Sequence, residues 1–112
     1  MKLYHFTCSH GREGIGARGE LTPQGDHPFL RCRVIWLTSD PWPDRVAAGL
    51  TSDLVRCDRM EFRYVVSEVD RCRPWIGSPE REGVDPSVVA DLEHYGRPET
   101  WWLTDGCGAR LG

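Results

Sequence analysis

The sequence predicts an α+β fold: one small domain with a mixed, mostly antiparallel sheet and short helices. Three observations carry that prediction. Short strand-like segments with period-two alternation recur along the chain, and Glu61-Phe62-Arg63-Tyr64-Val65-Val66 is the clearest. They alternate with short helical segments rather than with the long, regular βα units of a doubly wound sheet. There is also no G-x-G-x-x-G or Walker-type loop. The chain has 112 residues, which fits one domain with a single core of modest size.

The first strand is placed at residues 2–7, where aromatic and β-branched residues dominate. Alternation puts Leu3, His5 and Thr7 on one face and Tyr4 and Phe6 on the other. Ser9 suits an N-cap, and a short helix is expected to run to about Arg18. Gly19 suits the left-handed residue just past a helix end. A polar loop spans 24–33. The second strand is expected from Arg33 to Thr38, with Val34, Trp36 and Thr38 on one face and Ile35 and Leu37 on the other. Both faces are largely apolar, so this strand is expected to be central.

Two prolines in Pro41-Trp42-Pro43 break that strand. A short helix is expected from about Asp44 to Leu50, with a turn at 51–53. The third strand, 61–66, turns Phe62, Tyr64 and Val66 inward. Its other face carries Glu61 and Arg63, which reads either as a solvated surface or as the floor of a cleft. A long polar turn is expected from Gly77 to Gly83. Asp85 then caps a helix whose first position is Pro86, with Val88 or Val89, Leu92 and Tyr95 at helical spacing. Gly96 and Pro98 end it. A closing strand is expected over 99–104, followed by a loose, Gly-rich tail from Asp105.

Composition narrows the function classes. The net charge is −3 and the charges are interspersed, so no overall field draws the chain to nucleic acid. Lys2 is the only lysine among fourteen basic residues. Arginine favours bidentate phosphate or carboxylate recognition, although genome composition produces the same bias. The five tryptophans supply core packing or faces on which a flat ring can stack. Cys8, Cys32, Cys57, Cys72 and Cys107 are odd in number and scattered, with no apolar run near 20 residues and no signal peptide. The expectation is a cytoplasmic protein with free thiols and no membrane partner. Cys8-x-His10 and His27-x4-Cys32 could supply four zinc ligands, but the spacing matches no known finger or ribbon. No metal is expected.

Tyr4-His5-Phe6-Thr7, Gly14-Ile15 and Gly19-Glu20-Leu21-Thr22-Pro23 together resemble the opening of ADP-ribosyltransferase-fold proteins, nearest the DarT-like group. Val34-Ile35-Trp36-Leu37-Thr38-Ser39 resembles the second nucleotide-binding strand of that fold. The likeness covers roughly the first 40 residues well and the rest loosely. It implies an ADP-ribosyltransferase-like domain that takes NAD as its substrate. It implies that His5 grips a ribose hydroxyl with Thr7 beside it, and that Trp36, Thr38 and Ser39 line the nucleotide. A carboxylate is needed near the oxocarbenium-like cation formed as the nicotinamide–ribose bond breaks. Glu99 is the choice for it and Glu61 the rival. Arg63, with Arg45 and Arg56, offers a diphosphate clamp or plain surface ion pairs.

Three functions stay open at this point. One is a small NAD-dependent transferase or NAD-cleaving, toxin-like enzyme. The second is an RNA 2′-phosphotransferase-like enzyme on the same fold. The third is a non-catalytic nucleotide- or protein-binding module that presents its tryptophans. The acceptor macromolecule cannot be read from the chain.

Overall fold

The structure is a computed structural model that describes residues 1–7, 9–23, 33–43, 61–94 and 96–112. All but the last residue of the expected 24–33 loop, the helix expected at 44–50, the turn at 51–53, Tyr95, and Cys8, Cys32 and Cys57 therefore lie outside the described residues. So do Arg45, Arg56 and His27.

The described strands are β1 (Tyr4–Thr7), β2 (Glu20–Leu21), β3 (Ile35–Thr38), β4 (Phe62–Val66), β5 (Cys72–Pro74), β6 (Trp101–Thr104) and β7 (Cys107–Leu111). They form one sheet in the order β2-β7-β4-β1-β3-β6-β5. Every described pairing is antiparallel. The helices are short: α1 (Ser9–Arg18), α2 (Pro79–Glu82) and α3 (Pro86–Glu93). The domain is thus α+β. Among the described residues, no helix is long and apolar enough to cross a membrane.

β3 is central, as its two apolar faces require. Ile35 and Leu37 enter a core with Leu3, Ile15, Leu21, Tyr64, Val66, Cys107 and Ala109. On the opposite face, Trp36 and Val34 pack against a second cluster of Trp75, Trp101 and Leu103. β6 divides in the same way, with Trp102 against the first cluster and Trp101 and Leu103 in the second. The tandem tryptophans therefore serve opposite sides of one sheet.

α1 begins at Ser9 itself and ends as expected. Gly19 has φ 62°, and its N–H bonds the Ile15 carbonyl at 2.6 Å. That left-handed turn reverses the chain into β2, where Leu21 is almost fully buried. Before α3, the Asp85 carboxylate accepts the Ser87 N–H at 2.8 Å, with Pro86 in the first helical turn. The Ser87 hydroxyl, which donates to the same carboxylate at 2.6 Å, and the Ser87 N–H together hold the Asp85 carboxyl below its ordinary range.

Three expectations are corrected. The 77–83 stretch is not only a turn: Ser78 caps α2 by accepting the Arg81 N–H. The closing strand starts at Trp101, because 98–100 form a 3-10 turn opened by Pro98. The segment after Asp105 is not a loose tail. Cys107–Leu111 forms β7, paired with β2 on one side and β4 on the other. Buried Cys107 and Ala109 anchor it, and Gly106 at φ 153° makes the turn from β6.

The sheet curls. β6 and β7 are consecutive in the chain, yet they stand sixth and second in strand order. The 104–107 turn therefore bridges the mouth of the curl. Thr104, fully buried, fastens that corner. Its hydroxyl donates to the Arg71 carbonyl at 2.9 Å and accepts the Gly106 N–H at 3.1 Å. Glu20 on β2 and Arg71, in the 3-10 turn just before β5, approach to 3.9 Å, so the two edges of the sheet come together. Glu68 adds a second tie by accepting the Gly108 N–H at 2.6 Å.

Candidate functional site: a seam between the two central strands

β1 lies between β4 and β3, but the two junctions differ. β1 pairs with β4 along its whole length, from Tyr4↔Val65 to Thr7↔Phe62. It pairs with β3 only at Tyr4↔Thr38. Beyond that pair the strands part, although β3 continues to pair with β6 over four residues. The sheet thus has two wings, β2-β7-β4-β1 and β3-β6-β5, joined at one end of a seam.

His5 stands in the seam, one residue past the closed end. Its Nδ1 lies 3.0 Å from the Trp36 carbonyl oxygen, so the imidazole bridges the two strands. A carbonyl only accepts, so Nδ1 carries the proton. In the neutral ring Nε2 is then the acceptor. His5 is half-buried, and Thr7, two residues on and on the same face, is half-buried as well.

The remaining expected site residues divide. Tyr4 pairs with Thr38, so Thr38 and Trp36 share the face of Tyr4, opposite to that of His5 and Thr7. Trp36 is part of an aromatic cluster, with its ring centroid 5.0 Å from Trp75 and 5.8 Å from Trp101. The side chain expected to line the nucleotide beside His5 therefore belongs to the other side of the sheet. Trp36 contributes to the seam through its carbonyl instead. Thr38 is buried, and its hydroxyl accepts the Asp40 N–H at 3.0 Å, turning the chain at the strand end. The Ser39 N–H bonds the Thr100 carbonyl at 2.9 Å.

Arg63 is already committed to contacts within the domain. Its Nε donates to the Gly112 carbonyl at 2.7 Å and one terminal nitrogen to the Pro41 carbonyl at 3.0 Å. The guanidinium lies 3.9 Å from the Trp42 ring centroid and 5.0 Å from that of Tyr4. This is a stacked cation, with Trp42 72% exposed on the outside. Glu99 sits in the 3-10 turn before β6, at the closed end of the seam. It is 60% exposed and 3.4 Å from the Arg97 Nε. Arg97 also reaches to within 3.9 Å of Asp40. Glu61 is exposed beside Phe62, which pairs with Thr7 toward the open end.

Two groups therefore emerge. His5 and Thr7 line the seam on one face. Thr38, Ser39, Asp40, Trp42, Arg63, Arg97 and Glu99 gather around its closed end. Asp40, Trp42 and Arg97 were not expected there. The Asp40-Pro41-Trp42-Pro43 run reads only as a strand breaker, and nothing local marks the long-range partner Arg63.

Two open depressions lie outside this seam. One, about 350 Å³, is lined by Arg81, Val84, Pro86, Val89, Ala90 and Glu93. The other, about 370 Å³, is lined by Arg12, Glu13, Gly16 and Phe62, with Arg12 stacked 4.6 Å from the Phe62 centroid. Phe62 brings this second depression next to the Thr7 end of the seam. Among the described residues, no group of three or more His, Cys, Asp or Glu side chains is arranged to hold a metal ion. Compared with protein-family models, curated proteins and solved structures, the chain matches none.

Proposed function

We propose that the seam between β1 and β3 binds a dinucleotide of the NAD type, and that the protein is an ADP-ribosyltransferase-like or NAD-cleaving enzyme. The observation that carries this reading is His5 in the opened junction of two central strands, its tautomer set by the Trp36 carbonyl. In this reading the acceptor nitrogen of His5 takes a ribose hydroxyl and Thr7 adds a hydroxyl beside it.

Glu99 is the proposed carboxylate. It stands at the closed end of the seam, and its charge would stabilise the oxocarbenium-like transition state as the nicotinamide–ribose bond breaks. The proposal needs no metal. The acceptor of the ADP-ribosyl group is a macromolecule or water, to be set by the assay rather than by residues in the seam.

Nicotinamide release, measured with and without cell extract, tests the chemistry. Wild-type protein should release nicotinamide, and Glu99→Gln should lower turnover far more than binding, because it keeps the shape and removes the charge. Release that Glu99→Gln leaves unchanged rejects the role of Glu99. Release absent under both conditions rejects the enzyme.

One observation favours the binding-module alternative: the outer face of Trp42 over Arg63 is exposed at the same end of the sheet. Under that reading NAD binding is absent and Trp42→Ala removes partner capture. Arg63 is held by two carbonyls and two rings, which gives the RNA 2′-phosphotransferase-like alternative no support from this residue.

A further inference from the structure

The curl of the sheet brings together two thiols that the sequence separates. Cys72 opens β5 and pairs with Thr104. Cys107 opens β7, three residues past Thr104, and pairs with Leu21. Both side chains face the larger core, Cys107 within it and Cys72 packed against its rim. The two thiols thus flank Thr104 beside one core, close enough for each to act on the other's charge. Cys72 in turn reaches the Glu68 carbonyl at 3.7 Å. Both cysteines are free thiols here.

We propose that Cys72 and Cys107 are a modification site: a dithiol that a low-molecular-weight disulfide oxidises to an intramolecular disulfide, closing the mouth of the curled sheet. The half-buried Cys72 is the entry point, because it lies on an outer strand while Cys107 is fully enclosed. Burial raises both thiols, with Cys107 pushed up to about 12, which makes the more accessible Cys72 the first to react.

The step balances as thiol–disulfide exchange. The Cys72 thiolate attacks one sulfur of the small disulfide. The S–S bond of that molecule breaks, and the first small thiol leaves and takes up the proton that Cys72 lost. Cys107 then gives up its proton and attacks the Cys72 sulfur. The mixed disulfide breaks, and the second small thiol leaves carrying that proton. Two electrons pass from the protein dithiol to the small disulfide. The new bond ties β5 to β7, which stand seventh and second in strand order. It spans the corner already fastened by the Thr104 hydroxyl.

The full chain is incubated with oxidised glutathione, alkylated after denaturation without reduction, and digested with trypsin. Cleavage after Arg71, Arg81 and Arg110 puts Cys72 and Cys107 on different peptides. The expected result is one linked pair containing Cys72 and Cys107, lighter by two hydrogen atoms than the two peptides together. A higher melting midpoint should accompany it and reverse on adding dithiothreitol. Cys72→Ser should abolish both effects. Because Cys107→Ser places a hydroxyl in the core, Cys107→Ala is the matching variant, and it should stop at the glutathione adduct of Cys72. Stable accumulation of that adduct in the wild-type protein overturns the proposal. So does full alkylation of both residues after oxidation.

Discussion

Glu93 offers the most quantitative test of how the β5–α3 region is held. Trp75 is fully buried, and its indole N–H donates to the Glu93 carboxylate at 2.8 Å. The same carboxylate receives the Arg81 Nε at 2.8 Å and a second Arg81 nitrogen at 3.4 Å. Glu93→Ala strands a buried donor, which costs about 1–3 kcal/mol. It also removes an ion pair whose side chains are 32% and 18% exposed. Screening limits that part to about 0.5–1 kcal/mol. The sum is about 1.5–4 kcal/mol, a fall in melting midpoint of about 6–16 °C for a domain of this size. Glu93→Gln keeps an acceptor for the indole and loses only the charge, so its fall should be no more than about 4 °C. Thermal unfolding followed by tryptophan fluorescence measures both. Equal losses in the two variants, or no loss in Glu93→Ala, would refute the arrangement. The pH dependence has a defined sign. The Arg81 hydrogen bond holds the Glu93 carboxyl below its ordinary range, with the Trp75 N–H adding to it. Stabilisation is therefore complete above the unfolded carboxylate value of about 4.3 and is lost as pH falls through the lower folded value. The gap between wild type and Glu93→Gln should close over that acid range.

Two further outcomes are expected. A Cβ added at Gly96 would clash with the ring of buried Trp101, so Gly96→Ala should destabilise by about 1–3 kcal/mol in urea titration; an unchanged midpoint contradicts this packing. Arg63→Ala releases the Pro41 and Gly112 carbonyls and unstacks Trp42, so the emission of Trp42 should change and stability should fall by about 1–2 kcal/mol; comparison with Trp42→Phe isolates the signal, and no change in either readout contradicts the stack.

Strands were legible where alternation met a covered face. β4 reads directly from Phe62, Tyr64 and Val66, and β3 announces its central place because both faces are apolar. Helix ends were legible at Gly19 and Asp85, where one residue supplies the terminating φ or the capping oxygen. β7 was hidden because Gly106 and Gly108 flank Cys107, and local composition then suggests a tail. Its order comes from partners far away in sequence, Leu21, Val66 and Tyr64. The site was legible only in part. His5 and Trp36 do lie on adjacent central strands, but the parity of the Tyr4↔Thr38 register decides which face each side chain takes. No single strand reveals that register. The Cys72–Cys107 contact depends on the curl of the whole sheet.

Direct titration of the folded protein with NAD tests the seam most sharply. Calorimetry on wild type and His5→Ala, normalised to the folded fraction, separates binding from the stability that His5 gives through the Trp36 carbonyl. Wild type should bind NAD, and His5→Ala should lose roughly fivefold to hundredfold in affinity, the equivalent of about 1–3 kcal/mol. A wild-type protein that takes up no NAD, or a His5→Ala variant that binds it as tightly as wild type, would contradict the seam as the nucleotide site.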